Sequence, residues 1–226
     1  MDKAPVITID GPSGSGKGTI AQWLAGQLSW HYLDSGALYR ATAWAVVEAG
    51  LALTDQVGLD SLLASLRLET LAQADGEALI RCNGTDVTQA IREEAVGVMA
   101  SQIASNTLVR KALLSSQLGA RQYPGLVADG RDMGTVVFVD AQVKLFITAS
   151  AQARAERRYK QLQSKGISGN LRQIEADLIS RDERDAMREI SPTKPASDAV
   201  ILDTTTLSIA DVKAEVEAVL SAHLTL

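Results

Sequence analysis

The sequence has few of the residues that build disulfide-bonded, zinc-binding or membrane-spanning proteins. Cys82 is its only cysteine, which excludes an intramolecular disulfide and a zinc site built from several cysteines. No run approaches the roughly 18 consecutive apolar residues that a membrane-spanning helix requires. The first residues lack the basic and apolar regions of a signal peptide. These absences predict a cytoplasmic protein with no membrane partner.

Aromatic residues and net positive charge are also scarce. Only 4% of the residues are aromatic, so aliphatic side chains must supply most of the core. The length of 226 residues suits one compact domain. The net charge is -5, which argues against a nucleic-acid polymer as partner. The basic residues between positions 150 and 190 suit a small anion better than a duplex.

Short apolar runs alternate with helical patterns along the chain, which predicts an α/β fold with a mostly parallel sheet. Runs without polar alternation are typical of strands that are covered on both faces. The predicted strands are residues 6–10, 30–33, 126–129, 144–149 and 199–203. Between about residues 65 and 88 the apolar residues alternate with polar ones, with turns at Asp75-Gly76 and Asn83-Gly84. This segment predicts small antiparallel strands inserted into the α/β frame.

Polar residues mark the beginnings of several predicted helices. Their side chains can accept hydrogen bonds from the first turn, and Ser208 with Asp211 resembles a capping box. The other predicted caps are Ser150 and Asn170. In the helix that follows Asn170, three apolar residues are expected to face the interior: Leu171, Ile174 and Leu178.

The strongest motif is the glycine-rich segment 11–19, which directly follows a predicted strand and opens a helix. Backbone N–H groups in such a loop converge on phosphate oxygens, and the helix N-terminus adds positive potential. Lys17 would reach the outer phosphates, and a neighbouring hydroxyl serves Mg²⁺. Because a glycine follows the lysine, that hydroxyl comes from Thr19, directly or through water. The predicted ATP-binding residues are Gly11, Pro12, Ser13, Gly14, Ser15, Gly16, Lys17, Gly18 and Thr19.

The surrounding sequence favours phosphoryl transfer over hydrolysis. A regulatory GTPase would carry an Asn-Lys-x-Asp guanine reader, which this sequence lacks. A motor ATPase would end an apolar strand in Asp-Glu, where the Glu activates water. Here Asp129 ends such a run and Gly130 follows it. Without a base for water, transfer to a bound acceptor is favoured. The Gly-Lys-Gly-Thr ending resembles the loop of nucleoside monophosphate kinases.

Three further groups of residues are candidates for the acceptor side. Segments 34–40 and 129–135 follow predicted strands, and ligands of open α/β sheets bind at that edge. Arg181, Asp185 and Arg188 are spaced by four and three residues, so they share one helix face. Taken alone, such charges are typical of solvated helix faces. Beside a P-loop, they suit the neutralisation of a moving phosphoryl group.

Together, segments 9–19, 33–40, 128–135 and 202–205 resemble the bacterial cytidylate kinase family, and the resemblance spans nearly the whole chain. It implies a P-loop kinase fold with a central parallel five-stranded sheet flanked by helices. It also implies a small antiparallel β insertion at about residues 63–92 and a helical lid at about 151–168, within a single domain over residues 1–226. The implied activity is Mg²⁺-dependent transfer of the γ-phosphoryl group of ATP to CMP or dCMP by a monomer.

The resemblance also implies roles for individual residues. Four would line the cytosine pocket: Ser35, Ser101, Arg110 and Asp132. Two would hold the ribose hydroxyls: Arg181 and Asp185. Three would grip the acceptor phosphate: Arg40, Arg131 and Arg188. The lid would bring three arginines to ATP: Arg154, Arg157 and Arg158. The residues expected to act in catalysis are Lys17, Arg131, Arg158 and Arg188.

Two positions depart from the family pattern, and two other functions stay open. Val139 stands where the family usually has proline, and Glu93-Glu94 replace a Thr-Pro pair; neither removes an expected ligand. The alternatives are a kinase of another small acceptor, such as UMP or shikimate, and a nucleotide-binding switch without catalysis. Turnover on CMP separates these readings.

Overall fold

The computed structural model describes residues 3–72, 78–164 and 166–223. They divide into two compact units, one formed by residues 1–33 and 118–226 and the other by residues 34–117. Function as a single domain stays a prediction. Within the described ranges, every helix is too short or too polar to cross a membrane.

The elements alternate between strands and helices as the α/β prediction requires. In chain order the strands are β1 (Val6–Asp10), β2 (His31–Asp34), β3 (Leu68–Ala72), β4 (Ala78–Cys82), β5 (Thr85–Asp86), β6 (Leu126–Gly130), β7 (Val143–Thr148) and β8 (Val200–Asp203). The helices are α1 (Lys17–Leu28), α2 (Ser35–Glu48), α3 (Gln56–Ser65), α4 (Glu94–Ile103), α5 (Thr107–Gly119), α6 (Ala151–Ser164), α7 (Leu171–Ala186) and α8 (Ile209–His223).

The first unit is built on the predicted five-stranded parallel sheet, in the order β2-β6-β1-β7-β8. Strand β1 lies at the centre and is buried along its whole length, which explains why its sequence is mainly apolar, without regular polar alternation. Its last residue, Asp10, pairs with Gly130 of β6 on one side and with Phe146 of β7 on the other. The carboxyl ends of β1 and β6 therefore bring the P-loop and segment 129–135 to one edge of the sheet.

The boundary of the second strand differs from the prediction by one residue. Trp30 was expected in the strand, but its N–H donates to Ala25 O at 2.9 Å and so completes the end of α1. The preceding Ser29 has a positive φ of 54°, the left-handed conformation common at helix ends. The strand therefore begins at His31.

The predicted caps are confirmed. The Asn170 side chain accepts from the N–H groups of the first turn of α7, at 3.0 and 3.3 Å. Ser150 caps α6 through the N–H of Ala153 at 3.2 Å. Ser208 and Asp211 hydrogen-bond reciprocally at the start of α8.

The prediction that three apolar residues of α7 face the interior was wrong at one position. Leu171 is 37% exposed, and Ile174 and Leu178 are only half-buried. The residue that α7 buries is Asp185. Polar contacts of α7, such as the ion pair between its Asp182 and Arg154, replace part of the apolar packing that the spacing predicted.

The second unit contains the predicted insertion. Its three-stranded antiparallel sheet has the order β3-β4-β5, with Leu68 opposite Cys82. Asn83 and Gly84 both have positive φ, as a two-residue hairpin turn requires. The Asp75-Gly76 turn lies outside the described residues. Burial raises the pKa of the Cys82 thiol, which fits an inert side chain.

Candidate active site

The P-loop follows β1 with a backbone that requires glycine at two points. Gly11 has a φ of 149°, and a Cβ there would lie 2.0 Å from the carbonyl oxygen of Ile147 in β7. Gly16 has a φ of 90° and occupies the N-cap position of α1. The helix begins at Lys17, and the first N–H groups of a helix have no partner within the helix itself. This is the local geometry that binds phosphates.

The Lys17 ammonium is held at the base of the loop. It donates to Pro12 O at 3.3 Å and lies 3.9 Å from Asp129 Oδ1, with both side chains almost fully buried. Tyr32 donates to the other oxygen of Asp129 at 3.4 Å. A Cβ at Gly18 would lie 3.1 Å from that same oxygen. The glycine after the lysine therefore lets Asp129 approach the loop closely.

The residues around Lys17 fit a magnesium ion that is bound with nucleotide. Mg²⁺ prefers oxygen ligands and keeps several waters, so it needs few protein ligands. Thr19 is exposed in the first turn of α1, and the Asp129 carboxylate lies against the same turn. Among the described residues there is no group of three or more acidic, His or Cys side chains that could hold a metal alone. A carboxylate and a hydroxyl beside a phosphate-binding loop suit an ion that arrives with ATP.

Asp10 is a buried carboxylate at the centre of this edge. Burial raises the pKa of Asp10 from 3.8 to about 7. Hydrogen bonds from the N–H groups of Gly134 and Met133 lower this pKa, but burial has the larger effect. The nearby charges of Asp132 and Asp129 raise it further. The three carboxylates are thus electrostatically coupled. Asp10 was not among the predicted site residues.

This raised pKa predicts a pH-dependent stability. The folded protein keeps a proton on Asp10 that the unfolded chain releases above its pKa of 3.8, so stability falls as pH rises from about 4 to about 7. Asp10→Asn removes this dependence. We expect the unfolding free energy of the variant, minus that of the wild type, to rise with pH through this window. The slope should be at most about 1.4 kcal/mol per pH unit. Urea unfolding of both proteins at pH 5, 6, 7 and 8 measures this slope. A free-energy difference that stays constant with pH would show that the pKa of Asp10 is not raised.

Asp185 brings two of the predicted phosphate-binding arginines together. Its Oδ2 accepts from Arg131 Nε at 3.4 Å, and its Oδ1 pairs with Arg188. The Asp185 and Arg188 side chains are only 4% and 7% exposed. The expectation of a solvated helix face therefore does not hold here. Arg181 lies half-buried one turn before Asp185 on α7.

Two of the three arginines of the predicted lid contact the P-loop backbone. Arg154 is buried and donates to Ser13 O at 3.0 Å, while its other nitrogens bind Ala149 O and Asp182. Arg157 donates to Ser15 O at 3.4 Å and to Thr204. Contact of Arg154 with ATP phosphates would require it to exchange one of these partners.

Arg158 lies half-buried beside them on α6. A cleft within the first unit is lined by Pro12 of the P-loop and by Arg154, Asp182 and Asp185. It joins the phosphate-binding loop to the carboxylate that holds Arg131 and Arg188.

Asp132 is buried in the first unit, and the second unit carries four of the predicted acceptor residues. Ser35 is buried at the start of α2, and its Oγ accepts from Gln117 Nε2 at 2.9 Å. Asp34 caps α2 through the N–H of Ala37 and pairs with Arg40 at 3.2 Å. Gln117 was missed by the sequence reasoning, because a lone Gln at the end of a helix carries no motif.

Two more predicted residues lie on the helical part of the second unit. Ser101 is buried on α4. Arg110, on α5, donates to Ala104 O at 3.2 Å, and its guanidinium lies 6.0 Å from the centre of the Tyr39 ring. These two contacts hold the Arg110 side chain in place.

The positions that depart from the family pattern lie on the surface. Val139 is 61% exposed, and Glu93 and Glu94 are exposed as well. Asp10 was not expected in the site, whereas Asp129 lies in the candidate segment 129–135, and the two carboxylates share one signal in the sequence. Asp10 ends the buried strand β1, and Asp129 is the last residue but one of the buried strand β6. An unpaired charge would be costly in such strands, so a carboxylate there points to a site.

Comparison with known proteins gives the same family over the whole chain. The family model described as cytidylate kinase matches residues 7–222. The cytidylate kinase of Stutzerimonas stutzeri strain A1501 is 55% identical over 209 residues, covering 92% of this chain and 91% of the relative. That of Pasteurella multocida strain Pm70 is 51% identical over 224 residues, covering 99% and 98%.

A solved gluconokinase from Sinorhizobium meliloti 1021 has a TM-score of 0.50 at 15% identity, covering 98% of this chain and 94% of its own. This likeness shows a shared P-loop kinase fold and nothing about the acceptor. The match of the family model to residues 7–222 and the identities above 50% are more specific: the chain belongs to the cytidylate kinase family.

Proposed function

We propose that this chain transfers the γ-phosphoryl group of ATP to CMP or dCMP, giving CDP or dCDP and ADP. The observation that carries the proposal is the cleft that joins Pro12 of the P-loop to Asp185, the partner of Arg131 and Arg188. Donor and acceptor groups of one phosphoryl transfer must meet in such a cleft. The names of the relatives support cytidylate as the acceptor.

In the proposed reaction, an oxygen of the CMP phosphate attacks the γ-phosphorus and the bond to the ADP oxygen breaks. The attacking oxygen is already anionic, so no protein base has to remove a proton. The protein positions the groups and neutralises their charge. Lys17 and the P-loop N–H groups hold the donor phosphates. Arg131, Arg188 and Arg158 neutralise the moving group, and Arg154 and Arg157 bind ATP from the lid.

The acceptor assignments are part of the same proposal. Arg40 assists in gripping the CMP phosphate, and Arg181 and Asp185 hold the ribose. Ser35, Ser101, Arg110 and Asp132 read the cytosine. Mg²⁺, held by Thr19 and Asp129 with the nucleotide, would neutralise phosphate charge. A monomeric state and a cytoplasmic location stay predictions.

A coupled assay of ADP release tests the proposal directly. Mg-ATP is offered with CMP, dCMP, UMP and shikimate in turn, and the product is identified by chromatography. We expect turnover with CMP and dCMP to exceed that with UMP and shikimate. A switch protein would bind nucleotide and form no diphosphate, and a preference for another acceptor would overturn the assignment. Lys17→Met, prepared in parallel, controls for contaminating kinases.

Asp132→Ala should weaken selectivity for cytosine. Cytosine carries a 4-amino donor that uracil lacks, and a carboxylate accepts from it. A charge-assisted hydrogen bond is worth roughly 1.5–3 kcal/mol, so kcat/KM for CMP should fall about ten- to a hundredfold, and less for UMP. Steady-state kinetics on both acceptors measure the ratio. Asp60→Ala, an exposed position on α3, is the matched control. Equal losses on both acceptors would assign Asp132 a structural or phosphate-binding role.

A further inference from the structure

A short helical turn of π type, Met133–Val137, directly follows Asp132. The first N–H groups of a helix have no partner within it and usually bind the side chain at the N-cap. Asp132 occupies that N-cap position, and aspartate is among the preferred capping residues. Yet within the described residues its side chain makes no cap hydrogen bond. The first N–H groups of this turn are bound by another residue.

Asp10 supplies the cap from a different strand. Its Oδ1 accepts from the Met133 N–H at 2.9 Å, and its Oδ2 accepts from the Gly134 N–H at 2.8 Å. The side chain is almost fully buried, so water competes little for these hydrogen bonds. Asp10 ends the central strand β1 immediately before the P-loop. The turn that presents Asp132 is therefore attached to the same strand that carries the donor loop.

The packing of Gly134 reinforces this attachment. A Cβ at Gly134 would lie 2.8 Å from Thr8 Oγ1, 3.2 Å from Lys144 Cδ and 3.4 Å from Asp10 Oδ2. Only a residue without a side chain lets the turn approach β1 so closely. Two features thus fix the same peptide segment: the Asp10 carboxylate and the missing side chain at Gly134.

We propose that Asp10 is a positioning residue for the selectivity between acceptor bases. By capping the turn from β1 it takes over the task that Asp132 would otherwise perform, and it fixes the backbone from which Asp132 reads the cytosine. The inference rests on the proposed function. Selectivity requires that the reading group keep its geometry when the wrong base is bound, since a mobile carboxylate could adapt to either base.

The test is Asp10→Asn, measured at pH 8, where the wild-type Asp10 is ionised, by kcat/KM for CMP and for UMP with the same donor. The asparagine side chain keeps the shape of the aspartate but has only one accepting oxygen. Its NH₂ group is a donor, so it cannot accept the hydrogen bond of the second backbone N–H. We expect the CMP/UMP ratio of kcat/KM to fall about three- to tenfold, the effect of one hydrogen bond. Any effect on the P-loop acts on both acceptors and cancels in the ratio. An unchanged ratio in folded protein overturns the proposal.

A double-mutant cycle with Asp132→Ala distinguishes a positioning role of Asp10 from a general loss of structure. In the Asp132→Ala background, Asp10→Asn should leave the CMP/UMP ratio unchanged, because the group that it positions is gone. A further fall there would contradict the proposal. Thr8→Val is the matched control: it lies on the same face of β1, and its buried hydroxyl has no hydrogen-bond partner in the described part of the chain. It should leave the ratio unchanged, while Gly134→Ala should lower it.

Hydrogen exchange distinguishes failure of this inference from failure of the proposed function. In Asp10→Asn the Met133 and Gly134 amides should exchange faster, while amides of α8 keep their protection. Normal protection would show that Asp10 does not hold the turn. Faster exchange in an enzyme that does not phosphorylate CMP would overturn the proposed function, and the selectivity role with it, while leaving the attachment of the turn intact.

Discussion

Lys17→Met should lower turnover by about three or more orders of magnitude, which corresponds to ~4 kcal/mol of transition-state stabilisation. The Lys17 ammonium is almost fully buried at the base of the P-loop, 3.9 Å from Asp129. In the proposed function this charge faces the donor phosphates. Methionine keeps the length and the apolar stem but removes the charge.

The affinity for CMP should change little in Lys17→Met, because the proposed function places this residue on the donor side. Titration calorimetry with CMP and steady-state kinetics at saturating ATP separate the two effects. Lys3→Met is the control, since Lys3 is an exposed lysine whose side chain is 74% accessible. Lost CMP binding together with normal turnover at saturation would contradict the division into donor and acceptor sides.

Short-range sequence patterns were enough to predict the P-loop, the helix caps and the hairpin turn. The P-loop needs glycines at fixed positions because Gly11 approaches the backbone of β7 and Gly16 adopts a left-handed conformation. Such requirements act within a few residues and therefore appear in the sequence as a motif. The same is true of the caps at Asn170 and Ser208, and of the Asn83-Gly84 hairpin.

The contacts that hold the site together depend on strand order, which short-range patterns do not encode. Asp10 and Gly134 are 124 positions apart in sequence. They meet only because β6 lies beside β1 in the sheet. Arg154 was expected to face ATP, but it also binds Ser13 O and Asp182, which reach it through tertiary packing. Helical periodicity placed Leu171 inward and gave no sign that ion pairs would occupy α7 instead.

Arg188 presents the sharpest contrast between a structural and a catalytic role. It stands in a charged segment just beyond the end of α7, where an ordinary arginine would be solvated. Instead its side chain is 7% exposed and pairs with Asp185, which also binds Arg131. The buried carboxylate holds two guanidinium groups next to each other. Two cations in one place suit an acceptor phosphate and the charge that moves between phosphates.

Arg188→Lys should therefore keep the fold and the charge yet lose most of the activity. A planar guanidinium can bind Asp185 and a phosphate at the same time, whereas a lysine ammonium is a single point charge. The measurement is kcat and KM for CMP, with thermal melts as the folding control. Arg184→Lys, on α7 with its Nε bonded to Ser180 O, is the matched variant and should leave the activity nearly unchanged. Near-normal activity in Arg188→Lys would remove Arg188 from the site, and it would weaken the assignments of Arg181 and Asp185, because Asp185 pairs with Arg188 and Arg181 lies one turn before Asp185 on α7.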